Sequence, residues 1–181
     1  RQAAREPPLP HIIVSNVLME AIYLGNTAVG AANYDPVERG LRIAEQTGVH
    51  VWDAELYGQG AVMALNWGDH ARAAEFLAKM GERSHESRSV HVAGYHFFTA
   101  WERYLRGDTA AALAQAGVAL QRARDAGSRP VEMHALVMYA EALHARGRTV
   151  EALELLKQID RVPSRRAQYR RWLAEANVLL D

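Results

Sequence analysis

Trp67-Gly68-Asp69-His70-Ala71-Arg72-Ala73-Ala74, Arg106-Gly107-Asp108-Thr109-Ala110-Ala111-Ala112-Leu113 and Arg146-Gly147-Arg148-Thr149-Val150-Glu151-Ala152-Leu153 are one phrase written three times. The glycines stand 39 and 40 residues apart. Each is followed five residues later by an alanine (Ala73, Ala112, Ala152) and preceded seven residues earlier by another (Ala61, Ala100, Ala140). A glycine that ends one helix takes the left-handed backbone angle that side-chain-bearing residues resist. The alanines fall where two antiparallel helices would approach most closely. A period near 40 residues, with two helices in each unit, marks an α-helical solenoid.

Working outward from the joints gives the rest of the chain. Pro7, Pro8 and Pro10 mark residues 1–10 as an incoming linker, and residues 11–181 read as a single repeat domain. Ile12, Ile13, Val17, Leu18, Ala21, Ile22 and Leu24 recur at helical spacing, ending at Gly25-Asn26. Thr27 to Tyr34 is rich in small residues and reads mostly as loop. Asp35-Pro36-Val37-Glu38 is a helix start, with Asp35 as the cap and Pro36 first in the helix, and that helix stops at Gly48. Helix pairs follow over 51–67 with 69–83, 89–106 with 108–126, and 130–146 with 149–159. Residues 164–181 form a terminal helix that covers the end, its Arg165, Arg166, Arg170 and Arg171 turned outward. The reading gives about nine helices and no strand.

The two helices of each pair differ in composition. The first helices are apolar on most sides, so neighbours should cover most of their surface. The second helices keep a polar face (Arg72, Glu75, Lys79; Gln115, Arg122, Arg124; Glu151, Glu154, Lys157) and belong to a solvated outer layer.

Bulk composition narrows the function. The formal net charge is zero, which speaks against a whole-domain electrostatic partner such as DNA or an anionic membrane. Without cysteine the chain has no disulfide, thiolate metal site or cysteine nucleophile. No apolar run approaches the roughly 18 residues that cross a bilayer. A cytoplasmic, all-helical module is expected. The chain opens at Arg1 rather than Met and reads as part of a longer protein.

The glycine-then-alanine pattern resembles the tetratricopeptide repeat over about residues 35–160, although its period exceeds the usual length of about 34. Glu45-Gln46-Thr47-Gly48-Val49-His50-Val51-Trp52 and Tyr57-Gly58-Gln59-Gly60-Ala61 further resemble the sensor region of bacterial LuxR/MalT-like transcription regulators. In that class a nucleotide-binding module precedes the repeats and a DNA-binding helix-turn-helix follows them. The resemblance implies an all-α fold, a tetratricopeptide-like right-handed α–α superhelix. It also implies a non-catalytic domain that senses a small-molecule effector, a peptide or a protein partner, with no nucleic-acid contact of its own. The alternative is an interaction scaffold unconnected with transcription.

In such a superhelix one stripe of each first helix faces the concave groove. Alignment on the turn glycines puts Glu55, Val62 and Leu65 there, then Phe97, Trp101 and Tyr104, then His134, Glu141 and His144. Phe97, Trp101 and Tyr104 share one helix face and would suit a flat or apolar ligand, unless they pack against the next pair. The same alignment puts Arg103 at a position that is normally buried, so the frame can slip there by one residue. His91 and His96 are five apart and lie on different faces, and no histidine pair has metal-ligand spacing. The chain has no nucleophile elbow and no phosphate loop. Gly58 and Gly60 sit mid-helix and permit close packing rather than forming a dinucleotide loop. Neither a cofactor nor catalysis is expected. If a neighbouring repeat is missing, the 12–24 helix is uncovered and should promote self-association.

Overall fold

A computed structural model describes residues 9–27, 33–84 and 89–161. These hold eight α-helices: α1 (Pro10–Thr27), α2 (Asp35–Thr47), α3 (Asp53–Asn66), α4 (His70–Arg83), α5 (Ser89–Leu105), α6 (Thr109–Asp125), α7 (Arg129–His144) and α8 (Thr149–Leu156). A 3₁₀ turn over Lys157–Arg161 follows, and no strand occurs among the described residues. The fold is all-α. The expected helix over 164–181 lies outside the described residues, as do most of the 1–10 linker and of the 27–34 loop.

The repeated joint is built the same way each time. Gly68, Gly107 and Gly147 have φ of 71°, 80° and 75°. In each, the glycine N–H donates three residues back, to Leu65, Tyr104 and His144. The next residue's N–H donates five back, to Ala64, Arg103 and Leu143, at 2.9 to 3.0 Å. This pair of bonds satisfies carbonyls that a helix end otherwise leaves open. The residue after the glycine also starts the next helix. Asp69 Oδ1 accepts from the Arg72 amide and Asp108 Oδ1 from the Ala111 amide, each at 3.0 Å. Arg148 has no such oxygen, and its guanidinium binds Glu151 through two bonds of 2.7 Å.

The alanines do what their spacing implies. Ala61, Ala73, Ala100, Ala112, Ala140 and Ala152 are all fully buried. Turns this short make α3–α4, α5–α6 and α7–α8 antiparallel hairpins whose helices pack along each other. The burial patterns separate the two helix types. On α4 only Ala73, Phe76, Leu77 and Met80 are buried, a single stripe, while on α3 and α7 buried residues occur on most sides.

The chain divides into two compact units, residues 1–83 and 84–181. In the first, α1 packs on α2 and α3, and α3 on α4. Val14, Val17, Leu18, Val37 and Leu56 form its interior. Gly40 lets α2 approach, because a Cβ there would lie 2.8 Å from the Leu56 side chain. In the second, α6 lies against both α5 and α7, and α5 against α7. Leu120, Leu136, Leu143, Leu156 and Ile159 fill that core.

One local expectation needs correction, and the one-residue slip expected at Arg103 is seen. Asp35 does not cap α2. Asn33 Oδ1 accepts the Asp35 amide at 3.1 Å and Glu38 N–H reaches the Tyr34 carbonyl at 3.0 Å. The helix therefore begins one residue early, with Asp35 in its first turn, where a carboxylate still suits the dipole. Arg103 does not take the buried position of its counterparts Ala64 and Leu143. It is exposed, and neighbouring Glu102 is buried, reached by Arg106 Nη1 at 3.1 Å and Arg103 Nε at 3.5 Å.

Candidate functional site

The ring-bearing face of α5 is packed inside the second unit. Phe97 is buried, with Trp101 and Tyr104 half-buried against the same core. The Phe97 ring lies 6.4 Å from Trp101 and 5.5 Å from His134 of α7, both stacked, and 5.0 Å from Phe98. Trp101, Phe97 and His134 thus form one aromatic stack joining α5 to α7. The other candidates stand apart from it. His144, at the end of α7, has Nδ1 3.1 Å from Thr149 Oγ1, and Glu141 is half-buried one turn before it. Glu55 and Val62 are half-buried and Leu65 is buried on α3, in the first unit.

An open cleft exists in the first unit, at residues the groove alignment passed over. It measures about 310 Å³ and lies between α2 and α4 over α3. Leu41, Tyr57 and Phe76 supply its apolar wall, and Glu38, Arg72, Glu75 and Lys79 its charges. Gly60 shapes the floor: a Cβ there would meet the Phe76 ring at 2.7 Å, so only a glycine lets that ring lie on α3.

The charges are divided unevenly. Arg72 donates Nη1 to Glu75 and Nη2 to Glu38, each at 2.8 Å, tying α4 to α2 across the opening. Its guanidinium also stands 4.8 Å from the Phe76 ring centre and 5.5 Å from that of Tyr34. The Glu75 hydrogen bond raises the Arg72 pKa further, and Glu38 adds to it. Lys79 has no carboxylate partner among the described residues; its Nζ stands 5.9 Å over the Tyr57 ring. Burial and then the Asp53 charge push the Tyr57 phenol above its ordinary value, against the pull of Arg83. Burial and then Asp69 do the same at Tyr34. Both phenols therefore keep their protons at neutral pH.

Beside Tyr57 lies a third group. Asp53 is buried, and its Oδ2 meets His50 Nδ1 at 2.9 Å and Arg83 Nη1 at 3.6 Å. It braces the start of α3 against the end of α4. Its Oδ1 is buried without a hydrogen-bond partner among the described residues. Among those residues no cluster of three or more His, Asp or Glu is placed to hold a metal ion, and no helix is long and apolar enough to cross a membrane.

Sequence reading missed the cleft because it took Arg72, Glu75 and Lys79 for a solvated face. The signal was present in the repeat register. Relative to the turn glycines, Arg72, Glu75 and Lys79 answer to Ala111, Ala114 and Val118 in the next copy and to Glu151, Glu154 and Gln158 in the third, so the two basic residues of the cluster belong to one copy and not to the repeat. Compared with known proteins, the chain matches no family model, no curated protein and no solved structure.

Proposed function

We propose that this chain is the non-catalytic sensing domain of a bacterial LuxR/MalT-like transcription regulator, a cytoplasmic tetratricopeptide-like right-handed superhelix that acts by binding. One observation carries the repeat reading: the same glycine-led joint closes three helix pairs, with all six flanking alanines fully buried. The link to transcription rests on the resemblance of residues 45–52 and 57–61 alone. One fold hosts many functions, so the test is of binding itself.

The mechanism follows from linkage. An effector shifts the domain between two arrangements only by binding one of them more tightly. The Trp101–Phe97–His134 stack joins consecutive pairs, and a ligand seated at its Trp101 end would alter the packing of α5 on α7. A thermal-shift panel of sugars, amino acids, nucleotides and short peptides tests this on the native chain and on Trp101→Phe. A compound that raises the melting temperature of both, but less in the variant, supports sensing at the stack. A folded protein that no compound stabilises contradicts it.

The interaction-scaffold reading has one observation in its favour. Phe97 is already covered by its own unit, leaving the groove rings to serve as packing. The flanking coding sequence separates the two: a nucleotide loop upstream and a helix-turn-helix downstream belong to the regulator.

A further inference from the structure

We infer that the α2–α3–α4 cleft of the first unit is a small-molecule site for a zwitterion with an apolar side chain, an apolar α-amino acid being the simplest case. The inference goes beyond the sensing proposal and uses none of the α5–α7 stack.

The charge arrangement selects the ligand. Two carboxylates, Glu38 and Glu75, share the single guanidinium of Arg72, which leaves one negative charge uncompensated at that end. At the other end Lys79 makes no ion pair among the described residues and stands over the Tyr57 ring, with Arg83 beside it and the carboxylates of Asp53, Glu82 and Glu45 acting on the same ring. Glu75 and Lys79 are four residues apart on α4, in the order that ordinarily forms a helix ion pair, with Cβ atoms about 5–6 Å apart. They do not pair: Glu75 turns to Arg72 and Lys79 to the face of Tyr57. The rim of the cleft therefore offers a carboxylate to an ammonium and, one turn further along α4, an ammonium to a carboxylate. The ammonium would donate to the second oxygen of Glu75, and the carboxylate would accept from Lys79. Leu41, Tyr57 and Phe76 give its side chain an apolar wall. The volume, about 310 Å³, stands at the small end of ligand pockets and suits a molecule of this size.

The site is also specific to its copy. At the register of Tyr57 and Phe76 the next pair carries His96 and Gln115, which close on each other at 2.6 Å. The third pair carries Leu136, which is buried, and Leu155. Neither pair repeats the two rings of Tyr57 and Phe76 or the two cations Arg72 and Lys79 at their register.

Isothermal titration of the full chain with L-phenylalanine tests the inference. Its methyl ester, which lacks the carboxylate, and N-acetyl-L-phenylalanine, which lacks the ammonium, serve as probes of the two ends. The expected result is saturable binding of L-phenylalanine, weakened about tenfold or more by loss of either charge. Lys79→Met weakens binding of the amino acid by a similar factor but leaves the already weak binding of the ester unchanged. Lys79 is exposed, so this variant should keep the melting temperature of the native chain. Trp101→Phe leaves the titration unchanged. No saturable heat with the native chain, or equal affinity for all three probes, overturns the inference. Loss of binding in Trp101→Phe but not in Lys79→Met also overturns it, and would place the ligand at the stack instead.

Discussion

The helix pairs α3–α4 and α5–α6 share one joint and differ in what they build beside it. Eleven residues before the turn glycine and eight after it stand Tyr57 and Phe76 in the first pair, His96 and Gln115 in the second. The first combination leaves a cleft walled by rings and rimmed by four charges. The second closes as a hydrogen bond between half-buried side chains. The flanking alanines are buried identically in both. The joint holds the helices together, and the variable register positions decide whether the pair is packing or site.

The third pair sharpens this contrast. Leu136, at the register of Tyr57 and His96, is a core residue of the second unit. Leu136→Ala is expected to cost about 2–5 kcal/mol, the range for deleting a buried leucine, measured by urea unfolding. A loss below about 1 kcal/mol would mean that the third pair is not close-packed there.

Gly60→Ala breaks the first pair from below. Its methyl would meet the Phe76 ring at 2.7 Å, so overpacking should cost about 1–3 kcal/mol. Added Phe76→Leu should recover part of that loss in a double-mutant cycle. Additive effects would show that the ring does not need the glycine.

His96→Ala removes one partner of the closed pair and strands Gln115, costing about 0.5–1.5 kcal/mol by thermal unfolding. The effect should be absent when Gln115→Ala is already present.

Tyr57→Phe gives the smallest change, visible only in alkali. A phenol whose pKa is raised on folding contributes stability that is complete below its ordinary value of 10.0 and is lost as pH rises through the raised one. The native chain should lose stability above pH 10 more steeply than the variant. Superimposable pH profiles would assign that limb to Tyr34 or another group.

The sequence showed the joints plainly because a positive φ and a close helix approach each demand a particular residue type. Gly107 at φ 80° and fully buried Ala112 leave little choice. It showed the site poorly, since charge on a helix looks the same whether it faces bulk water or rims a cleft. Arg72 reads as surface and is surface, with its side chain 36% exposed; only its reach to Glu38, 34 residues away, makes it part of a site. Arg103 teaches the same limit in reverse. Alignment put it inside, but a buried arginine must be paired, and the helix buries Glu102 with two guanidinium partners instead. Phe97, Trp101 and Tyr104 do share a face as their spacing implies. Spacing left open whether that face lines a groove or packs against the next pair, and Phe97 packs, with its ring on His134 of α7.

Exchanging the variable positions tests the central claim most directly. Tyr57→His with Phe76→Gln writes the second pair's residues into the first, leaving Gly68, Ala61 and Ala73 untouched. Calorimetric titration with L-phenylalanine, beside a thermal unfolding curve, reads both halves of the claim. The account predicts a cooperatively folded chain that has lost L-phenylalanine binding. Binding retained at native affinity, or a chain that no longer folds, would contradict the division between joint and site.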